Sequence, residues 1–236
     1  MATETHPWLF FNSGKGAAPF NMALDEALLE AMPRWQTPIL RFYGWTQPAA
    51  SFGYFQKFSR VEQSTPLRPL VRRLTGGGIV PHDADWTYSF AAPPGHDWHS
   101  LAAMESYRRV HEWIQRSFAK SNIQTELALA KKSAGDVESK IAGECFSSHE
   151  KFDVLWQGKK IAGAAQRRNK FGLLIQGSVQ APVSLARNDW ENAMREAASE
   201  IFSIEWRHFS PDDDLLARAA ELARQKYSQN SYNQKC

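Results

Sequence analysis

The sequence predicts an α+β protein with a mixed, largely antiparallel β-sheet flanked by helices. Three observations predict it. Helical and strand-like periodicities interleave along the 236 residues without regular βαβ alternation. The most regular β signal, residues 151–180, reads as successive strands joined by tight turns. Hydrophobic residues at 43% and charged residues at 22% are ordinary for a globular core, and they exclude a mainly disordered, coiled-coil or collagen-like chain.

The elements follow in order. Asn21 is placed to cap a helix over 22–32, with Ala23, Leu24, Ala27 and Leu28 at helical spacing. Ile39 to Trp45 is strand-like and ends at Thr46-Gln47-Pro48; Ala49 to Phe55 is a second strand, with Gly53 inside it marking a close backbone approach. Leu70 to Leu74 and Thr87 to Ala91 flank a glycine loop. Ser100 is placed to cap a helix to about Lys120, with Tyr107, Val110, Ile114 and Phe118 on one face, and Ile123 to Leu129 reads as extended. Phe152, Val154 and Trp156 alternate, Gln157-Gly158 turns the chain, and Lys159 to Gln166 returns; Leu173 to Val179 follows. Asn188 caps a helix to Phe202, with Glu191 placed for a capping box. Ser210 and Pro211 open the last helix, where Asp212 to Asp214 meet the positive end of its dipole and Leu215, Leu216, Ala219, Leu222 and Ala223 form the buried stripe. Residues 1–227 read as one domain and 228–236 as a flexible polar tail.

Other classes fall away on simple counts. No apolar run approaches the roughly 18 residues of a membrane span. The N-terminus has no basic stretch ahead of an apolar core, so a cytoplasmic protein without a signal peptide is expected. Two cysteines, Cys145 and Cys236, make neither a disulfide framework nor a structural zinc site. Net charge is +3, but six basic residues and no acidic one lie between Val154 and Asn188, and a second basic group spans Lys57, Arg60, Arg68, Arg72 and Arg73. Such patches suit an acidic protein partner, a phosphate-bearing ligand, nucleic acid or solvent alone.

Three segments could carry chemistry. In Arg72-Arg73-Leu74-Thr75-Gly76-Gly77-Gly78-Ile79-Val80-Pro81-His82-Asp83, glycines without Cβ atoms let backbone touch a ligand, and no P-loop ending follows. In Lys159 to Gln166, alternation puts Lys160, Ala162, Ala164 and Gln166 on one face, either a trough for a thin apolar chain or a surface against which a bulky neighbour packs. Cys145 lies among polar and small residues, poor surroundings for a packed thiol; a nearby cation would make it a thiolate, and His149 is a possible base.

Together these segments resemble the superfamily of lipoate-protein ligases, octanoyltransferases and biotin ligases, from about Trp8 to Gln180. FNMALDE resembles its first helix, PILRFYGWTQPAASFGYFQ its early strand pair, RRLTGGGIVPHD its signature loop and GKKIAGAAQRR its lysine strand. Cys145-Phe146 shortly before Lys160 matches the cysteine-dependent octanoyltransferase branch. That resemblance implies a transfer of octanoyl from acyl carrier protein to a lysine of a lipoyl-domain protein, such as glycine cleavage H protein or a 2-oxoacid dehydrogenase E2. It implies Cys145 as nucleophile and Lys160 as its catalytic partner. Arg73, Thr75, Gly76, Gly77, Gly78, Ile79, Val80, His82, Gly163, Ala164, Ala165 and Gln166 would bind the acyl substrate, with no cofactor, metal, membrane or nucleic acid involved. Gly76-Gly77-Gly78 is more ligase-like, so the alternative is a lipoate-protein ligase lacking its accessory domain, using ATP and Mg. A third reading is a non-catalytic binder of an acylated carrier, or of nucleic acid through the basic patches with Tyr43, Trp45 and Tyr54 as stacking surfaces.

Overall fold

The structure, a computed structural model, describes residues 6–131, 149–180 and 185–235. Among these residues the main sheet has eight strands in the order β11-β1-β2-β6-β10-β9-β8-β7. They are β1 (His6–Gly16), β2 (Ile39–Trp45), β6 (Trp86–Ala92), β7 (Glu126–Leu127), β8 (Val154–Trp156), β9 (Lys159–Asn169), β10 (Gly172–Val179) and β11 (Ile204–His208). β1 runs parallel to β2 and β11, and the remaining neighbours are antiparallel. A small second sheet, β4-β3-β5, joins β3 (Ala49–Phe52), β4 (Leu70–Arg72) and β5 (Ile79–His82). This is the α+β architecture with a mixed, largely antiparallel sheet that the sequence predicts.

Helices cover both faces of the main sheet. On one side α4 (Ala103–Lys120) packs on α5 (Arg187–Phe202), and Val110, Trp113, Ile114, Phe118, Trp190 and Met194 join Leu40, Phe42 and Phe90 of the strands in one core. On the other, α1 (Ala18–Trp35) packs on α6 (Asp213–Leu222), where Leu24, Leu28 and Met32 meet Ile39, Tyr43 and Leu174. The central strands β2 and β10 are buried along their whole length, as expected for strands between two helical layers. Two short helices, α2 (Phe58–Ser64) and α3 (Asp97–Ser100), lie in connections. None of the described helices is long and apolar enough to cross a membrane.

Several helix starts differ from the sequence reading. α1 begins at Ala18 with Pro19 in its first turn; Asn21 is fully buried and donates to the Gly16 and Gly44 carbonyls instead of capping. Ser100 ends α3, and α4 begins at Ala103. α5 begins at Arg187; Glu191 does not close a capping box but accepts from Asn12 and Arg187. Asp212, not Ser210, caps α6, its carboxylate accepting from the Leu215 amide at 2.9 Å. The Gln157-Gly158 turn is as expected, with φ of 50° and 73°.

The polar tail is the largest correction. After a π-helical turn over Ala223–Tyr227, residues Asn230–Asn233 form α7, and Asn233 is buried. Arg72 explains it. Its guanidinium donates to the carbonyls of Asn233 and Lys235, and its backbone amide donates to Asn233 Oδ1 at 2.8 Å. The same guanidinium donates to the Tyr54 and Gln56 carbonyls, so the tail and the segment after β3 are tied to one side chain.

Candidate active site

The glycine loop, Thr75 to Gly78, is held from behind. The Arg73 guanidinium is buried, and its Nη2 donates to the carbonyls of Gly76 at 2.7 Å and Gly78 at 2.8 Å. With those carbonyls drawn inward, Gly77 takes a φ of 89° and stays exposed, while Gly76, Gly78 and Val80 are half-buried. Thr75 is fully buried; its hydroxyl donates to Gln176 Oε1 at 2.8 Å and its carbonyl accepts from the Tyr54 amide. Ile79 packs with Phe52 and Val61 under the small sheet.

Arg73 and His82, read from the sequence as pocket residues, lie behind the loop instead. Arg73 Nη1 donates to Ser51 Oγ at 3.1 Å, Ser51 lies 2.8 Å from His82 Nε2, and His82 Nδ1 lies 2.9 Å from Asp85 Oδ2. Asp85 Oδ2 also accepts from Thr87 and Ser178. A carboxylate oxygen so placed accepts a hydrogen bond from the Nδ1–H of His82, which leaves Nε2 to accept from the Ser51 hydroxyl. Trp45 stacks on the imidazole at 3.8 Å. The partner of His82 is thus Asp85, whereas the adjacent Asp83 is exposed. Ser51 carries no sequence signal of its own, since the register of β3 on β5 is what places it, and Asp85 meets His82 from three residues further along the chain.

Beneath the loop lies a second buried network. Asp25 on α1 accepts from Arg41 at 2.6 Å, Tyr43 at 3.0 Å, Ser89 at 2.7 Å and Gln176 at 2.7 Å. Burial and the neighbouring Asp25 hold the Tyr43 phenol well above its ordinary pKa, so it acts there as a donor. Through Gln176 and Thr75 this network reaches the glycine loop.

β9 presents its lysine differently from simple alternation. Ala162 and Lys160 pair with the consecutive residues Val154 and Leu155, leaving Ile161 as the extra residue of a β-bulge. The bulge shifts parity, and Lys160 folds over Gly163: a Cβ on Gly163 would lie 2.6 Å from Lys160 Cε and 2.8 Å from Nζ. The next residue of that parity, Ala165, faces the loop, 3.7 Å from where a Gly77 Cβ would stand. Ala162, Ala164 and Gln166 line no open trough. Ala162 is buried and Ala164 packs in the core shared with α4, while Gln166 accepts from Ser106 and donates to the Ala103 carbonyl. The face turned to the loop is therefore Lys160, Gly163, Ala165 and Arg167. Arg167 with Tyr54, Leu74, Phe171 and Tyr232 lines a cavity of about 400 Å³ at the far end.

Lys160 is nearly buried, and its Nζ lies 2.8 Å from Asp153 Oδ2. The Asp153 carboxylate, fully buried, also accepts from the Tyr107 hydroxyl at 2.5 Å and the Glu150 amide at 2.7 Å. Burial and Asp153 push the Tyr107 phenol well up, and burial pushes the His111 imidazole, 4.0 Å from Asp153, down to about 4. Cys145 lies outside the described residues. Of the predicted set, the structure brings Lys160 onto Gly163 and Ala165 against the glycine loop, and turns Ala164 and Gln166 away.

The basic patches are thinner than the sequence suggests. Arg72 and Arg73 are buried among carbonyls, Arg168 donates to the His99 and Leu101 carbonyls, and Arg187 pairs with Glu191. Lys57, Arg60, Lys159 and Lys170 remain exposed.

Comparison with known proteins agrees with this geometry. The model of the lipoyl protein ligase A/B catalytic domain matches residues 17–203. A protein of Geobacillus kaustophilus named octanoyltransferase LipM is 36% identical over 193 residues, covering 76% of this chain and 66% of its own length. Octanoyltransferase LipM of Anoxybacillus flavithermus is 34% identical over 187 residues, with 75% and 66% covered. The match thus spans just under two thirds of these curated relatives' length. Among solved structures, a lipoate-protein ligase A bound with ATP superposes with a TM-score of 0.75 at 22% identity, covering 98% of this chain and 99% of that one. The bipartite lipoate protein ligase of Thermoplasma acidophilum superposes with 0.71 at 21% identity, covering 98% and 97%. At these identities the structures show a common fold.

Proposed function

The chain belongs to the lipoyl protein ligase A/B catalytic domain family, and from that premise we propose that it is an octanoyltransferase of lipoate assembly. The observation that carries this reading is the identity of 34–36% over about three quarters of the chain to proteins named octanoyltransferase. The held lysine beside an open glycine loop supports it.

In this reading the Cys145 thiolate attacks the thioester carbonyl of octanoyl-acyl carrier protein. The carrier thiolate leaves and takes up a proton, and octanoyl remains on Cys145 as a thioester. The lysine amine of a lipoyl-domain protein then attacks that carbonyl, an amide forms, and the Cys145 thiolate is expelled as the amine loses its proton. The Lys160 ammonium stabilises the thiolate electrostatically and helps pass the proton of the attacking amine. The backbone of Thr75 to Val80 and the small side of β9 at Gly163 and Ala165 enclose the acyl chain. Lipoyl-domain acceptors include glycine cleavage H protein and 2-oxoacid dehydrogenase E2. The bond energy of the incoming thioester drives both steps, so the route calls for neither ATP nor a metal.

Intact mass spectrometry after mixing the protein with octanoyl-acyl carrier protein, without ATP, tests the reading. The expected result is an octanoyl adduct that hydroxylamine removes and that Cys145→Ala does not form. Full activity of Cys145→Ala with free lipoate, ATP and Mg would instead assign the chain to the ligases.

A further inference from the structure

We propose that Asp153 is the positioning residue for Lys160, with Tyr107 as the second anchor of the same carboxylate. The inference rests on the acyl-transfer reading of Lys160 and adds the group that decides where its ammonium stands. An ion pair this deeply buried is a poor device for stability, because apolar residues of similar volume would serve as well or better. It is a good device for fixing a charge at one place.

Three backbone features converge on the pair. Phe152, directly before Asp153, has a φ of 74°, a costly conformation for an aromatic residue. It is held by hydrogen bonds on either side, Phe152 N to the Ala128 carbonyl at 2.7 Å and Ala128 N to the Asp153 carbonyl at 2.9 Å. The bulge at Ile161 turns Lys160 onto the loop-facing side of β9. Gly163 has no Cβ where the lysine stem passes. Each feature is locally unfavourable or unusual, and together they bring Nζ to 2.8 Å from Asp153. Tyr107 reaches the other carboxylate oxygen from α4, so the carboxylate is held against rotation while it holds the lysine. Asp153 acts through Lys160; nothing in the proposal has it touch the substrate.

Asp153→Asn, Asp153→Glu and Tyr107→Phe test the inference by two readouts. In octanoyl transfer, Asp153→Asn is expected to lower kcat roughly 100-fold, the scale of an ångström-level misplacement, with KM for octanoyl-acyl carrier protein within about twofold. Asp153→Glu, which keeps the charge, recovers part of that loss, and Tyr107→Phe loses less than Asp153→Asn. The second readout needs no activity: reductive methylation of Lys160, followed by peptide mass spectrometry on folded protein, is faster in Asp153→Asn than in wild type. An Asp153→Asn protein with kcat within about twofold of wild type, or with Lys160 methylated at the wild-type rate, overturns the proposal. If Asp153→Asn does not fold, Asp153→Glu and Tyr107→Phe decide by the same two readouts. A wild-type protein that forms no octanoyl adduct defeats the functional reading, and the methylation rates then settle the positioning by themselves.

Discussion

Gly53 and Gly77 approach so closely that a Cβ on Gly53 would fall 2.0 Å from the Gly77 carbonyl oxygen and 2.8 Å from the Gly76 carbonyl carbon. These are backbone atoms and cannot rotate aside as a side chain would. The glycine loop therefore rests on the chain just after β3, and Tyr54 N donates to the Thr75 carbonyl from there. Gly53→Ala must push the loop away or bend the end of β3, at a cost of about 1–3 kcal/mol. Urea denaturation should show that loss, and formation of the octanoyl adduct should slow. A Gly53→Ala protein as stable and as fast as wild type would mean the loop moves without resistance.

Asp25 supports the loop from the opposite direction. Its carboxylate is the counter-charge of the buried Arg41 guanidinium and also accepts from Tyr43, Ser89 and Gln176. Asp25→Ala leaves a guanidinium buried without its anion, which typically costs about 3–5 kcal/mol. The urea midpoint should fall by that amount divided by the m-value, with m unchanged. A loss below about 1 kcal/mol would show that water or the carbonyl of Asn21 compensates Arg41.

Legibility in the sequence followed the range of the interactions. β2 was bounded by its flanking prolines and the 157–158 turn by its glycine, and both stand at the expected residues. β1 and β11 carry no strand signal in the sequence. Residues Trp8 to Phe11 alternate between two cores, so every position is apolar and no period-2 signal remains, and the pairing partner lies about two hundred residues away. The loop was legible because glycines need a reason. The groups that hold it are not, because Ser51 on β3, Asp85 after β5 and Asp25 on α1 meet only through tertiary packing. Simple alternation puts Lys160 on the opposite face of β9, since one extra residue at a bulge inverts a period-2 argument. The small side of β9 that faces the loop is accordingly Gly163 and Ala165 rather than Ala162 to Gln166.

The docked tail makes Asn233 a structural residue. Its Oδ1 accepts from the Arg72 amide and its Nδ2 donates to the Tyr227 carbonyl. Asn233→Ala strands a buried amide and a buried carbonyl, for an expected loss of about 1–3 kcal/mol. Because Arg72 also holds the Tyr54 and Gln56 carbonyls, the loss should be accompanied by faster amide hydrogen exchange in residues 53–57. Unchanged exchange there would separate the tail from the loop.

His111 gives the protein an acid-sensitive point. It is buried on α4; its Nδ1 lies 2.8 Å from the Tyr107 carbonyl, and burial holds its pKa at about 4. In the unfolded chain the same imidazole titrates near its ordinary value of about 6.5. Above that value both states are neutral and the residue adds no pH dependence. Between about 6.5 and 4 the unfolded chain binds a proton that the folded protein does not, so stability falls as pH falls through this window. The full effect is on the order of 3 kcal/mol, reached near pH 4, and below that the folded state protonates too. Replacing the imidazole by an amide, His111→Gln, removes the titration but leaves a polar group. The variant is therefore expected to be less stable than wild type at pH 7.5 and to lose less on going to pH 4.5. Melting temperatures of both proteins at the two pH values measure the difference of differences, in which the carboxylates common to both cancel. Equal losses in the two proteins would show that His111 keeps its ordinary pKa in the fold, and a smaller loss in wild type would show it already charged at pH 7.5, with Asp153 4.0 Å away.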